Sequence, residues 1–560
     1  MRVFHNITVG LDEELEEKLA WMTPGFASHR ILKKSVDARQ RHSPHFVYSV
    51  EVYEAGEPPP ERHFTLEKVP YSGPRPIIIG AGPAGLFAAL RFVERGVPCL
   101  LLERGSPAEK RMRHINRFWR YGELDANNNV CFGEGGAGLY SDGKLITRIK
   151  SPHIRYVMNR LVQFGAPAEI EYLANPHVGS DRIRRVIPRM REYLIANGCE
   201  IKFDAPVVKF LTQNSGALAG ENQKPQQQVI GVETQDGQIH HSDKIIMATG
   251  HSASDIFDQL SLSGVHMEGK SFAVGLRIEH PQSLINEIQY REKNSHEKLG
   301  AANYRLARHD RQADLGVYSF CMCPGGYVLS SGTETESVVV NGMSNYSRDS
   351  AFANSAIVVT VDYAKSFGTE DIWAGLKFRQ HLEKSAYEMV RSKEIPAQRL
   401  VDFMADKTGP VLPTSSPSHV KAAPLHELMP QVLTEHFKKG IEDFGRKMNG
   451  FISPEAQLHA VESRTSCPIR VTRDRETLQS LSHLGLYPCG EGAGYAGGIT
   501  SAACDGIRIV DVILGVPAEV QVDETDSETV ASAAPIAAPA SAAKKPGKNL
   551  PSPERKNVSP

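Results

Sequence analysis

The segment Pro76 to Arg104, PIIIGAGPAGLFAALRFVERGVPCLLLER, limits the possible fold more than any other part of the chain. Pro76 to Ile79 is a short apolar run, suited to a strand buried on both faces. Gly80, Gly82 and Gly85 follow at G-x-G-x-x-G spacing, with Pro83 and Ala84 opening a helix that runs to about Arg95 and stops at Gly96. Val97 to Leu102 reads as a second strand. Glu103 ends it, 18 residues after Gly85. Each piece has a job at a dinucleotide. Gly80 allows the tight turn, Gly82 lets backbone approach a pyrophosphate, and Gly85 lets the helix pack close to the strand. The helix N-terminus offers free N–H groups and the positive end of its dipole, and the acid can accept from ribose hydroxyls. A lone glycine motif says little, but here strand, turn, helix, strand and acid come in order. The plainer alternative is a βαβ unit without a ligand.

The rest of the chain sets bounds. Its 560 residues allow three or four domains. With 41% hydrophobic and 23% charged residues the composition is that of a globular protein, and a net charge of -1 gives the whole chain no electrostatic attraction to nucleic acid or anionic membrane. No apolar run reaches the ~18 residues of a membrane helix, and the N-terminus lacks the apolar stretch of a secretory signal. Eight scattered cysteines suit a reducing cytosol, so a cytoplasmic location is expected.

Residues 1–70 read as a small α+β module: a strand from Val3 to Val9, a helix from Asp12 to Trp21 and a strand from His45 to Tyr53. Its Arg30, Lys33, Lys34, Arg39, Arg41 and His42 form either a solvated helix face or a patch for phosphates or RNA. The polar stretch Gln213 to Gln228 reads as a loop. Residues 518–560, rich in Ala, Pro and Ser, read as disordered.

Two later segments complete a pattern. Lys244 to Gly250 (KIIMATG) is a strand ending in Thr249-Gly250, and LGLYPCGEGAGYAGGITSAACDGIRIVDVIL is a strand, a glycine-rich turn and an apolar helix. With the first segment they resemble the FAD-binding domain of the glutathione-reductase-like flavoprotein superfamily. The resemblance implies non-covalently bound FAD. Its contacts would fall at Gly80 to Gly85, Glu103, Arg104, Val207, Thr249, Gly250, Gly490, Glu491, Gly497, Gly498 and Ile499. The superfamily's last strand ends in Gly-Asp, whose acid holds the ribitol. This chain has Gly490-Glu491, which keeps the acceptor and adds a methylene. Gly492 to Gly497 repeats the G-x-G-x-x-G spacing, but no later strand and acid complete a second nucleotide unit. The expectation is that NAD(P)H binds only transiently as a donor, or that the donor is something other than NAD(P)H.

A closer resemblance rests on Asn129 to Leu145 (NVCFGEGGAGLYSDGKL), SFCMCPGGYV, NGMSNYSRD and ESRTSCPIR, which look like the family of uncharacterised bacterial FAD-dependent dehydrogenases. It spans the chain to about Gly515 and implies a flavoprotein fold without a substrate. Gly133, Gly135, Gly136 and Gly138 make a loop almost without side chains, fit to lie against a flat ligand, to gather N–H groups around an anion, or simply to turn. Asp142 and Lys144 follow it and could face the flavin or solvent. Cys321 and Cys323 line a pocket, act as redox thiols, or are small hydrophobes. No second close cysteine pair completes a zinc site, so no metal is expected. Arg464 is either a bidentate clamp on a substrate carboxylate or half of a structural salt bridge. His177 and Asp181 precede a helix that Ser180 or Asp181 would cap, and His251 follows the Thr-Gly turn.

The expected architecture is α/β: a Rossmann-like FAD domain over 71–260 and 450–517, an inserted α+β cap domain over 261–449 and the N-terminal module. The cap is expected to place strands at Ser271 to His280, Val317 to Ser330 and Ser337 to Ser344, and helices at Trp373 to Val390 and Leu433 to Met448. The expected function is an FAD-dependent oxidoreductase that passes a hydride or two electrons between flavin and a small organic substrate. The alternatives are an RNA-interacting flavoprotein that docks through residues 1–70, and a non-catalytic FAD sensor.

Overall fold

The computed structural model describes residues 1–39, 44–57, 66–216, 226–291 and 297–517. Arg41, His42 and the tail from 518 lie outside the described residues. Five short strands form a parallel sheet in the order Leu486–Pro488, Ile245–Met247, Ile77–Ile79, Cys99–Leu102 and Cys199–Lys202. The three inner strands are buried throughout, as their unbroken apolar runs require. Helices Pro83–Glu94 and Ile499–Leu514 lie against each other, and Gly506 makes that approach possible, because a Cβ there would sit 2.2 Å from the Ala84 carbonyl oxygen. The buried Arg91–Asp511 pair, 2.7 Å apart, locks the two helices together. This is the Rossmann-like part of an α/β fold.

A second sheet of seven strands runs Ala307–Asp310, Leu315–Cys323, Phe352–Val361, Phe272–Pro281, Gln457–Glu462, Ile395–Arg399 and Val420–Ala422, antiparallel except for the last pair. Helices Ala374–Val390 and Gln431–Lys447 belong to the same body. Gln457–Glu462 moves the expected boundary at 450, since it pairs with Phe272–Pro281 in this sheet. A six-residue buried run does not show in sequence which sheet will take it. The expected strand Val317 to Ser330 is two strands, Leu315–Cys323 and Gly326–Ser330. Pro324 has no N–H to give a ladder, and Gly325 turns at φ +46° where a Cβ would lie 1.8 Å from the Arg348 carbonyl oxygen. The chain enters this body along Met267–Gly269 and leaves along Ile469–Val471, and these two crossings pair antiparallel.

Two local expectations change. The Gln-rich loop begins and ends as strand, since Val207–Asn214 pairs with Gln227–Thr234, while 217–225 lie outside the described residues. The basic stretch of the N-terminal module is a strand, Phe26–Asp37, at the edge of a three-stranded sheet, and not a helix face. Its side chains alternate, so the cations divide between faces. Arg30 reaches Glu51 at 3.3 Å, Lys34 stands 4.4 Å over the Phe46 ring, and Arg39 pairs with Asp37. Backbone bonds from Lys34 to Tyr172 and from Ala174 to Lys34, both 2.8 Å, dock the module on the main body. Among the described residues, no helix is long and apolar enough to cross a membrane.

Candidate functional site

A cavity of about 330 Å³ opens at the C-terminal ends of the parallel strands, where α/β sheets bind ligands. Its floor comes from the Gly80–Ala84 turn, Glu103 and Arg104, the Gly136–Gly138 loop, the Thr249–Ser252 turn and the Gly497–Ile499 helix start. Its opposite wall, with Phe320, Cys321 and Glu462, comes from the seven-stranded sheet. The cavity therefore joins the two bodies.

The three motif glycines divide by what surrounds them. A Cβ on Gly80 would lie 2.5 Å from the Ala248 carbonyl oxygen, and one on Gly85 only 1.9 Å from that of Gly80. These two serve the protein's own packing. A Cβ on Gly82 would meet nothing closer than 3.9 Å. Its open side is left for a ligand, at the start of the Pro83–Glu94 helix. Gly250, Gly497 and Gly498 also line the cavity with nothing within 4 Å of a built Cβ.

Glu103 is busier than its ribose role suggests. Its carboxylate accepts the N–H of Ala81 at 2.7 Å, Gly105 at 3.0 Å and Gly133 at 2.9 Å, so it ties the first turn to the glycine loop while lining the cavity. Ala205 donates to the Glu103 carbonyl oxygen at 2.9 Å, which brings Val207 to the same end. Arg104 lines the cavity, pairs with Asp255 at 2.9 Å and lies 4.3 Å over the Phe132 ring.

Only part of the glycine loop faces the cavity. Gly136 and Gly138 do, packed toward Gly82, Pro83 and Ile499. Gly133 and Gly135 do not. A Cβ at Gly133 would strike the Arg111 side chain at 2.6 Å, and one at Gly135 the Leu139 side chain at 2.8 Å. Arg111, absent from the sequence reading, is fully buried and donates to the carbonyl oxygens of Asn129, Val130, Glu134 and Gly136 at 2.7–2.9 Å. A polar helix, AEKRMRHINRFWRY, gives little hint that one of its arginines points inward.

Gly490 is a structural turn rather than a contact: it lies outside the cavity lining at φ +73°, and its N–H donates to Asp505 at 2.8 Å. Glu491 does line the cavity. Burial pushes its carboxyl up to about 7, against the pull of Lys270. His251 lies 3.8 Å from it, and burial, with Arg379 and Arg464 nearby, holds that imidazole down at about 3. The Thr249 hydroxyl is buried without a hydrogen-bond partner among the described residues. Gly492, in the second glycine motif, presses on Gly250, where a Cβ would lie 2.4 Å from the carbonyl oxygen, and Gly494 presses on Arg470. Those two glycines are taken up by packing.

The opposite wall holds the candidate chemistry. Cys321 lines the cavity at φ +46°, in a bulge between Phe320 and Cys323. The Cys323 thiol, which donates to the Cys321 carbonyl oxygen at 3.3 Å, lies beside the Cys321 thiol and holds it below the ordinary thiol range, helped by the cations Lys144 and Arg277 and opposed by burial. Cys323 itself is fully buried behind the wall and its thiol is pushed up. It lines no part of the cavity, so the expected pair divides into one cavity thiol and one buried one. Lys144 lines the cavity 3.6 Å from Asp142, which Arg348 also pairs. His177 stacks on Tyr346 and Asp181 accepts the Tyr346 N–H at 2.7 Å, both outside the cavity.

Arg464 lines the cavity, but its guanidinium is engaged. It grips Glu383 at 3.0 and 2.7 Å and donates to Thr333 at 2.7 Å. The substrate-clamp expectation gives way to the salt bridge, because a partner 81 residues away in sequence fills the fork. Sequence reading also missed Glu462 and Arg277. Arg277 is fully buried in the Phe272–Pro281 strand, with its Nε 2.8 Å from Glu462 and Nη1 2.8 Å from Asn354. Arg277 and Glu279 inside the otherwise apolar run FAVGLRIEHP were the available signal, since a buried charge must find a partner.

Residues 271–465 match the family model described as FAD-dependent protein, C-terminal domain-like, and residues 10–53 match a domain of unknown function. A Clostridium beijerinckii protein, described only as uncharacterised, is 37% identical over 536 residues, 91% of this chain and 98% of that protein. Among solved structures, CtdE in complex with FAD is 12% identical over 79% of this chain and 84% of its own, with a TM-score of 0.29. The flavin-dependent brominase Bmp2 is 11% identical over 81% and 82%, with a TM-score of 0.34.

Proposed function

Since this chain belongs to one family with the Clostridium beijerinckii protein and carries the C-terminal domain of FAD-dependent proteins, we propose that it is an FAD-dependent oxidoreductase acting on a small organic substrate. The chain is a flavoprotein, and FAD is its cofactor. The residues present fit that group: a helix start with an open glycine, an acid at the end of the second strand, and two further turns whose glycines leave room for a ligand. Gly82 to Ala84, Glu103, Gly136 to Gly138, Thr249 to Gly250 and Gly497 to Ile499 would hold it. When bound, FAD supplies two-electron chemistry, and the protein supplies position, electrostatics and exclusion of water.

One observation carries the reading: the cavity that begins at the cofactor turns is closed by a wall from the other body, with Phe320, Cys321 and Glu462 on it. A FAD carrier without turnover needs no such wall of ionisable groups. Glu462, with its carboxyl pushed up by burial against the pull of Arg277, suits proton handling beside a reacting centre. NADH or NADPH would serve as a donor that visits and leaves.

The test is an absorbance spectrum of the purified protein followed by anaerobic titration with NADH and then NADPH. Flavin bands that bleach with one nicotinamide support a reductase half-reaction. A yellow protein that no two-electron donor bleaches overturns the oxidoreductase reading.

A further inference from the structure

The cavity is lined by Cys321 and Glu462 from the seven-stranded sheet and by Lys144 from the segment after the glycine loop. Glu462 is 5% exposed, and its Oε2 takes the Nε–H of Arg277 at 2.8 Å. Its Oε1 has no hydrogen-bond partner among the described residues, although the residue lines the cavity. The Lys144 ammonium is shut off from solvent and makes no hydrogen bond among the described residues, and Asp142, 3.6 Å from it, is shared with Arg348. One acceptor facing the cavity and one buried donor thus stand unfilled in the cavity that Cys321 lines, and Cys321 itself keeps a left-handed backbone, which costs a non-glycine residue ~1 kcal/mol or more.

We propose that Cys321 is the nucleophile of this cavity and that it takes a soft carbon electrophile, a conjugated carbonyl compound. Thiolates are the reactive form and prefer such carbons. The groups facing the sulfur sort by sign. Cys323, Lys144 and Arg277 favour the thiolate, and Asp142 opposes it. The charge on Cys321 in turn raises Glu462 and Glu491. In the addition, a sulfur–carbon bond forms at the alkene carbon distant from the carbonyl. The π pair moves toward the carbonyl oxygen, for which Lys144 has a free N–H, and the carbon next to the carbonyl takes its proton from water entering through the cavity mouth, so the Lys144 ammonium stays charged. No electron is gained or lost. The free oxygen of Glu462 accepts an N–H or O–H elsewhere on the ligand.

The inference rests on reading this cavity as the meeting place of cofactor and substrate, yet the two fail separately. The probe is N-ethylmaleimide, itself a conjugated carbonyl, applied in short pulses from pH 5 to 9 and read by peptide mass spectrometry. Cys131 lines the same cavity and serves as the reference for access. Cys321 is expected to label at least ~10-fold faster than Cys131 at pH 6.5, with a midpoint below the ordinary thiol range. Lys144→Met and Cys323→Ser, checked for folding by circular dichroism, are expected to move that midpoint upward by about one unit. Cys321→Ser removes the fast label. Labelling of Cys321 no faster than Cys131, or rising only above pH 8, overturns the inference. A flavin spectrum on the same sample separates the outcomes. Bound flavin with an inert Cys321 sinks this inference alone, and a fast Cys321 in protein that never takes up FAD sinks the flavin reading alone.

Discussion

Gly85 sits so close to Gly80 that a Cβ on the first would lie 1.9 Å from the carbonyl oxygen of the second. Gly82, between them in the motif, has open space where its side chain would be. The same letter in the sequence therefore answers to two different demands. Gly85→Ala is expected to cost at least the ~1–3 kcal/mol of overpacking, and more because backbone rather than a flexible side chain is struck. Gly82→Ala is expected to cost ~1 kcal/mol or less, from the cap position alone, while weakening FAD retention at least ~10-fold. Thermal unfolding and the flavin absorbance of the purified variants check both. Equal loss of fold in the two would contradict the division.

Arg464 and Glu383 form a buried bidentate pair, 9% and 1% exposed. Removing the cation leaves a carboxylate in a dry site with Arg379 and Ser463 as its remaining partners. Arg464→Ala is expected to lose ~3–5 kcal/mol in denaturant unfolding, and Arg464→Met with Glu383→Met to recover much of that. Wild-type stability in Arg464→Ala, with a defect only in substrate binding, would restore the clamp role.

Three imidazoles, His280 buried and His177 and His251 partly buried, are expected to make the protein acid-labile. Burial holds His280 at about 4, His177 at about 4 and His251 at about 3, all below the unfolded value of 6.5. The unfolded chain then binds more protons from 6.5 down to those values, so stability is lost as pH falls through this window, by up to ~1.4 kcal/mol per unit for each group. His280→Asn is expected to shrink the difference in unfolding free energy between pH 7 and pH 5 by ~2 kcal/mol. An unchanged slope would mean that His280 charges freely in the fold. Glu491 runs the other way in cofactor-free protein: its carboxyl is raised to about 7, so its contribution is full below about 4.5 and is lost as pH rises through 7. Glu491→Gln is expected to flatten that limb of the curve.

Arg111 holds five loop carbonyls with one planar guanidinium. A lysine has a point charge and no fork. Arg111→Lys is expected to loosen residues 129–136 and weaken FAD binding at least ~10-fold, with faster amide hydrogen exchange across the loop. Unchanged exchange would show that the loop holds itself.

The Rossmann-like half was legible because its logic is local. A strand, a turn, a helix and an acid within thirty residues must be neighbours in space, and each residue type is dictated by its own backbone: no Cβ fits at Gly85, and only buried apolar strands read Ile77-Ile78-Ile79. The helices Ala374–Val390 and Gln431–Lys447 were legible by the same local period. What only the tertiary structure decided are the pairings across long separations. Arg277 meets Glu462 and Arg464 meets Glu383 because strands and helices far apart in the chain converge, and a charge does not name its partner in advance. Gln457–Glu462 joins the second sheet because buried strands of either body share one composition. The sequence set which residues were able to serve a site, through backbone freedom and side-chain chemistry. The packing of two sheets decided which of them face the cavity, placing Cys321 in it and Cys323 behind it.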